Sequence, residues 1–292
     1  MAGEGERSLA ALGLDTVPAL DPLSYPGRPV PGPVLLADGA LVPLLPGGTR
    51  LGGWRTAPEG PTLDEALTAR GSSPTGARCP VLAVGSNASP AQLTYKMARY
   101  AVPAVLPMVP VRVRGLAVGC SAHIGRAGYV AAAPCPDPAA EREFVVSWLD
   151  PAQLAVVDGT EFPNYTRALL PGDRFAMELP SGERLGGAYL YAGAHGVLPD
   201  PATGGPRPGG GDQSALLDAL LADSPALRAL LGPGPADWVA RARSSPRARA
   251  QGSRLLAEEH APLFRTAFAP WADDSARPRR YGELPPPEGE SG

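Results

Sequence analysis

Residues Val84, Gly85, Ser86, Asn87 and Ala88 bring a tight turn and two hydrogen-bonding side chains to the end of a predicted strand. The next four residues, Ser-Pro-Ala-Gln at 89–92, have the pattern of a helix start, with serine as the N-cap and proline at the first helical position. Unpaired N–H groups and the helix dipole favour negative charge at such a point. The segment therefore predicts a turn able to hold a carboxylate or an oxyanion.

This turn by itself is not specific, because a plain strand-to-helix connection explains it equally well. It lacks the glycine spacing of dinucleotide-binding and Walker A loops. Ser86 does not stand in a G-x-S-x-G elbow, although a hydrolase with Ser86 as nucleophile stays open as a weak alternative.

A second group of reactive side chains follows a predicted short helix at 150–158. Asp158, Glu161, Tyr165 and Arg167 come in that order, and we expect Glu161 on the connection to the next strand. A carboxylate there could point into the mouth of a barrel, where it could move protons. The alternative is a solvated acid in a turn, as most glutamates are.

Together the two segments resemble the gamma-glutamylcyclotransferase-like superfamily. Its members open with a strand ending in YGSN and then a short helix, and the sequence here reads VGSN at 84–87. They continue with an LD..E segment, a Pro or Gly, and Y.R, which VVDGTEFPNYTR at 156–167 matches in order. Residues 115–138 are similar in character to the family's hairpin. The resemblance covers roughly 80–193.

The resemblance implies a cyclotransferase that needs no metal or cofactor and releases 5-oxoproline and an amine from a γ-glutamyl substrate. It implies Glu161 as the general acid/base, Gly85, Ser86 and Asn87 as the binding turn, and Tyr165 as the tyrosine that follows the glutamate. Val84 departs from the family, whose tyrosine at that position is missing here, and Phe162 stands where a glycine follows the glutamate. A small-molecule-binding domain without catalysis is therefore kept as an alternative.

The elements expected around these residues define an α+β core. Strict alternation at 109–113 changes parity at Gly115, which predicts a bulge. Further short strands are expected at 128–134, 143–149, 165–170, 174–179 and 184–191. Strands outnumber helices in this part of the chain, so the prediction is a small mixed β-barrel with one or two packed helices.

The remaining chain is divided by composition, since 73 of its 292 residues are Gly or Pro (36 + 37). Residues 1–78 are predicted as an extension with a possible hairpin at 33–46 and a short helix at 62–71, and residues 79–195 as the barrel. A linker at 196–213, a helical region at 214–272 and a disordered tail at 273–292 complete the prediction.

Charge and cysteine usage exclude several functional classes. The formal net charge is −3 with both signs spread along the chain, which favours neither nucleic acid nor a membrane as a partner. Lys96 is the only lysine, and coding bias is the simplest explanation. Three cysteines and three histidines lie far apart in sequence, so no metal site is expected, and His123 is expected to be structural. The start of the chain lacks a signal peptide's apolar core, so a cytoplasmic location is expected.

Overall fold

The computed structural model describes residues 7–48 and 50–287, which form an α+β fold around one sheet. The strands are β1 (Arg7–Ser8), β2 (Val34–Ala37), β3 (Ala40–Pro43), β4 (Cys79–Ala83), β5 (Val105–Ile124), β6 (Val130–Leu149), β7 (Tyr165–Pro171), β8 (Met177–Glu178) and β9 (Gly187–Gly193). The helices are α1 (Leu63–Ala69), α2 (Pro90–Ala98), α3 (Pro151–Glu161), α4 (Gln213–Asp223), α5 (Pro225–Leu231), α6 (Pro235–Ser244) and α7 (Pro246–His260). Within the described ranges, no helix is both long enough and apolar enough to cross a membrane.

The strands follow the order β1-β3-β2-β5-β6-β4-β9-β7, and β8 pairs with β5 beside this path. All named pairs are antiparallel except β4 with β9. The long β5–β6 hairpin forms the middle of the sheet and places β4, with the turn that follows it, next to β6.

The predicted barrel is wrong in one respect, because the sheet is open. β1 lies at one end of the strand order and β7 at the other. The edge of β5 is already occupied by β2 near its start, by β8 further along, and by single bridges to Val197 and Pro208.

The bulge predicted at Gly115 is present. The β5–β6 register shifts between Arg114 and Leu116, and Gly115 has a φ of 85°, a conformation that residues with a Cβ rarely adopt. The bulge changes which side chains of β5 face the core, as the parity change in the sequence indicates.

Both faces of the sheet are covered. One face packs against α2 and α3 through Leu93, Met97, Leu154 and Val157. The opposite face packs against α1 and against the C-terminal segment, from which Phe268 and Tyr281 are buried. The far end of the β5–β6 hairpin is covered by α4–α7, which contribute Leu217, Leu227, Trp238 and Leu256 to a third cluster.

The flanking regions are integrated with the sheet. β2 and β3 form the hairpin at 33–46, and Thr62 caps α1 in a capping box with Glu65. The segment 196–213, expected as a linker, bridges β5. Residues 273–287, where composition predicted disorder, lie against the core with Tyr281 buried, while residues 288–292 of that tail and residues 1–6 of the extension lie outside the described ranges.

Candidate functional site

The elements on both sides of the turn after β4 fix its position. β4 is buried along its whole length between β6 and β9, and a single 3-10 turn at Ser86–Ala88 follows it. The Ser89 hydroxyl then accepts the N–H of Gln92 at 3.4 Å and starts α2, as predicted. The Gln92 side chain does not complete the expected capping box, because its Oε1 accepts the N–H of Ala19 instead. The N-terminal extension is thereby attached to the first turn of α2.

The start of α3 is fixed by a buried polar cluster. Asp150 and Gln153 form a capping box. The Gln153 side chain also donates to the carbonyls of Pro103 and Val105 and accepts from Arg78, whose guanidinium is fully buried. Burial lowers the pKa of Arg78 below its usual value, and backbone carbonyls surround its guanidinium. These bonds set the direction of α3.

Glu161 is the last residue of α3, where the sequence analysis expected it on the loop that follows. Its Oε1 accepts hydrogen bonds from Asn87 Nδ2 at 3.1 Å and from Lys96 Nζ at 2.8 Å. Lys96 Nζ also donates to Asn87 Oδ1 at 2.8 Å, which closes a ring of three side chains. The exposed fraction is only 10% for the Lys96 side chain and 14% for that of Glu161, so the ion pair is largely shielded from water. The turn and the glutamate, 74 residues apart, are therefore in direct contact.

Four tyrosines, Tyr25, Tyr129, Tyr165 and Tyr191, are close enough for the charge of Glu161 to raise their pKa. Burial is the main cause that raises the pKa of all four. The pKa of Tyr129 rises to about 12, and the Ser86 side chain acts in the opposite direction by a smaller amount. All four hydroxyls therefore stay protonated at neutral pH and can donate hydrogen bonds.

Tyr25 reaches the turn from the N-terminal extension. Its ring stacks on that of Tyr129 with the centroids 4.2 Å apart, and its hydroxyl accepts the N–H of Ala132 at 2.7 Å. A Cβ at Gly85 would overlap that hydroxyl oxygen. Only glycine fits here, because the tyrosine approaches the backbone so closely.

Asp158 and Arg167, from the same motif as Glu161, form a separate pair. Arg167 Nη1 binds Asp158 Oδ2, and the Tyr191 hydroxyl donates to Asp158 Oδ1 at 2.6 Å. Arg167 Nη2 also donates to the carbonyl of Ser275 at 2.9 Å. This pair ties α3 to β7, β9 and the C-terminal segment, and it leaves Glu161 as the carboxylate beside the turn.

The histidines do not support a serine nucleophile at the turn. His123 Nδ1 lies 2.6 Å from the hydroxyl of Ser121, and the ring stacks on His195 at 4.4 Å and meets the edge of Tyr165 at 5.7 Å. Burial, with a smaller contribution from His195, lowers the pKa of His123 to about 3, so the ring is neutral. Among the residues that the structure describes, Ser86 has no hydrogen bond to a histidine or a carboxylate.

A cavity of about 460 Å³ opens beside the turn. Val84, Gly85 and Ala88 line it together with Phe144 and residues of the N-terminal extension and the 196–213 segment. Glu161 is not among its lining residues, and neither are Ser86 and Asn87. The turn therefore lines this cavity through Val84, Gly85 and Ala88, while the Asn87 side chain contacts Glu161.

Sequence reasoning missed Lys96 and Tyr25. The sequence does contain a signal that could have identified Lys96. It is the single lysine among the 26 lysine and arginine residues, and it lies nine positions after Asn87 on the helix that follows the turn. Tyr25 carried no such signal, because it stands in a proline-rich segment and reaches Gly85 only through tertiary packing.

Solved structures of gamma-glutamyl cyclotransferases are among those to which the chain is similar. One, described as gamma-glutamyl cyclotransferase, is 16% identical with a TM-score of 0.29, and the match covers 39% of this chain and 65% of that one. A second, a yeast gamma-glutamyl cyclotransferase specific to glutathione, is also 16% identical with a TM-score of 0.29, over 57% of this chain and 98% of that one. The chain thus spans just under two thirds of the first protein. No protein-family model and no curated protein matches the chain.

Proposed function

We propose that the protein is a cofactor-independent cyclotransferase that converts a γ-glutamyl amide or amine into 5-oxoproline and a free amine. The observation that carries this proposal is the contact between Asn87 of the turn and Glu161 at the end of α3. These are the two segments on which the resemblance rests, and a general base belongs beside the group that holds its substrate.

The reaction needs ring geometry and proton transfer. The α-amino nitrogen of the substrate attacks its own γ-carbonyl carbon while Glu161 takes the proton from that nitrogen. The resulting tetrahedral intermediate collapses, the bond to the departing nitrogen breaks, and Glu161 returns the proton to that nitrogen. Attack within one molecule gains most from being held in a reactive conformation. One carboxylate serves both proton transfers, and no redox step is involved.

The surrounding groups support this chemistry. The 3-10 turn at Ser86–Ala88 leaves N–H groups at its start without partners inside the turn, and these can bind the substrate carboxylate or the oxyanion. Tyr129 and Tyr165 are close enough for the charge of Glu161 to raise their pKa, and their protonated hydroxyls are hydrogen-bond donors. Tyr25 places an aromatic hydroxyl at the turn. The tyrosine that the family has in the turn itself is replaced here by Val84.

One observation favours a second function, a binding domain without turnover. The Lys96 ammonium already pairs with the Glu161 carboxylate at 2.8 Å. A carboxylate held in this way can serve as a fixed recognition group for a ligand rather than as a base.

The test is turnover of a panel of γ-glutamyl amines and peptides with 5-oxoproline as the measured product. We expect product from at least one substrate, and Glu161→Gln should lower kcat/KM by about 100-fold or more, the usual contribution of a general acid/base. Glu259→Gln, on an exposed position of α7, is the matched control and should retain full activity.

Two outcomes would contradict the proposal. Equal rates for wild type and Glu161→Gln would remove this glutamate from the reaction. Tight binding of a γ-glutamyl compound without any product would establish the binding function instead.

A further inference from the structure

Lys96 is an unusual residue for this chain. Every other basic residue apart from histidine is an arginine, so a lysine at a shielded position is an exception to the composition. Its ammonium is compact and offers three donors, whereas the planar guanidinium of arginine needs more room. Two of those donors are used, on Asn87 Oδ1 and Glu161 Oε1, each at 2.8 Å.

The two carboxylate oxygens of Glu161 differ in their hydrogen-bond partners. Oε1 accepts from both Asn87 and Lys96. Oε2 accepts no hydrogen bond from any of the residues described, 7–48 and 50–287. The charged and titratable groups that interact with Glu161 are Lys96 on α2, Tyr25 on the extension, Tyr129 before β6, Tyr165 on β7 and Tyr191 on β9. Lys96 is the one cation in that set.

We infer that Lys96 is a positioning residue that fixes Glu161 through Oε1 and leaves Oε2 as the oxygen that exchanges the proton with the substrate. This inference rests on the proposed function. Lys96 and Asn87 hold one edge of the carboxylate, so the other edge has a single orientation toward the reacting nitrogen. The ammonium also compensates the carboxylate charge between the two proton transfers.

Three variants separate positioning from a merely structural role. Lys96→Met removes the charge and both hydrogen bonds, and it should lower kcat at least about tenfold with little change in KM. Lys96→Arg, which keeps the positive charge, should recover part of the rate. Arg99→Met, exposed at the end of the same helix, should behave as wild type.

The single lysine permits a readout that does not depend on turnover. Protein labelled with [ε-13C]lysine gives one side-chain signal, and we expect Glu161→Gln to shift that signal while Glu259→Gln leaves it unchanged. An unchanged signal in Glu161→Gln would overturn the pairing in solution.

The two proposals fail in different ways. An active wild type with kcat unchanged in Lys96→Met would overturn only the role of Lys96. A wild type that forms no 5-oxoproline from any member of the panel would overturn the proposed function. If the lysine signal still shifted in Glu161→Gln in that case, the ring would be only a structural ion pair. The positioning role of Lys96 would then be overturned as well.

Discussion

Gly85 lies against the hydroxyl of Tyr25, and this contact makes the turn intolerant of any side chain. Gly85→Ala should lower the free energy of unfolding by about 2 kcal/mol, because the tyrosine is pinned by its stack on Tyr129 and its bond to Ala132 and cannot move away. Chemical denaturation measures this loss. Gly159→Ala, where the added methyl group meets open space on α3, is the control and should be neutral or slightly stabilising.

A double mutant decides whether Tyr25 is the cause. Removal of the hydroxyl in Tyr25→Phe relieves the overlap, so Gly85→Ala should cost less in that background than in the wild type. Additive effects of the two substitutions would contradict the close approach of Tyr25 to the turn.

At the level of single residues, the sequence identified the turn and Glu161 as candidate site residues. It did not identify the side chains that contact them. Local sequence signals were sufficient to identify Ser89 as the N-cap of α2. The order of the motif residues could be read directly from the sequence. Tyr25 and Lys96 join the site through contacts between distant segments, and no local pattern encodes such contacts.

The position of α3 depends on Gln153, whose side chain takes part in four hydrogen bonds at the start of the helix. Gln153→Leu removes one hydrogen-bond partner each from the buried Arg78 guanidinium, the part-buried N–H of Asp150 and the part-buried carbonyl of Pro103, which should cost about 3 kcal/mol of unfolding free energy. Because Glu161 lies at the other end of α3, we also expect slower 5-oxoproline formation. Gln251→Leu, exposed on α7, is the control, and equal stability of the two variants would contradict the anchoring role.

At the level of elements, local patterns predicted most strands and helices but not their arrangement. The change of parity at Gly115 indicated the bulge. Whether the sheet closes depends on which strands end it, and here β1 and β7 lie at the two ends of the strand order. Strand order is decided by packing of the whole chain, which local periodicity and composition do not describe.

At the level of the whole molecule, both flanking regions meet at Glu183, in the loop between β8 and β9. Its Oε2 accepts the N–H of Leu51 at 3.0 Å, its Oε1 accepts the hydroxyl of Tyr281, and Arg50 lies 3.4 Å away. The N-terminal extension and the C-terminal segment are thus joined through one buried carboxyl group. The high glycine and proline content predicts loosely packed terminal regions. A few buried hydrogen bonds of this kind are enough to hold those regions against the core.

The same carboxyl group gives the fold a predictable dependence on pH. Burial raises the pKa of Glu183 in the folded protein, and the donors around it oppose this rise by smaller amounts. A raised pKa means that its contribution to stability is fully present below the unfolded value of about 4.3 and is lost as pH rises through the folded value. Denaturation curves across that window should therefore show Glu183→Gln gaining stability relative to wild type as pH increases, by at most about 1.4 kcal/mol per pH unit. Glu258→Gln, exposed on α7, is the control, and a difference between Glu183→Gln and wild type that stays constant with pH would show that Glu183 titrates alike in the folded and unfolded chain.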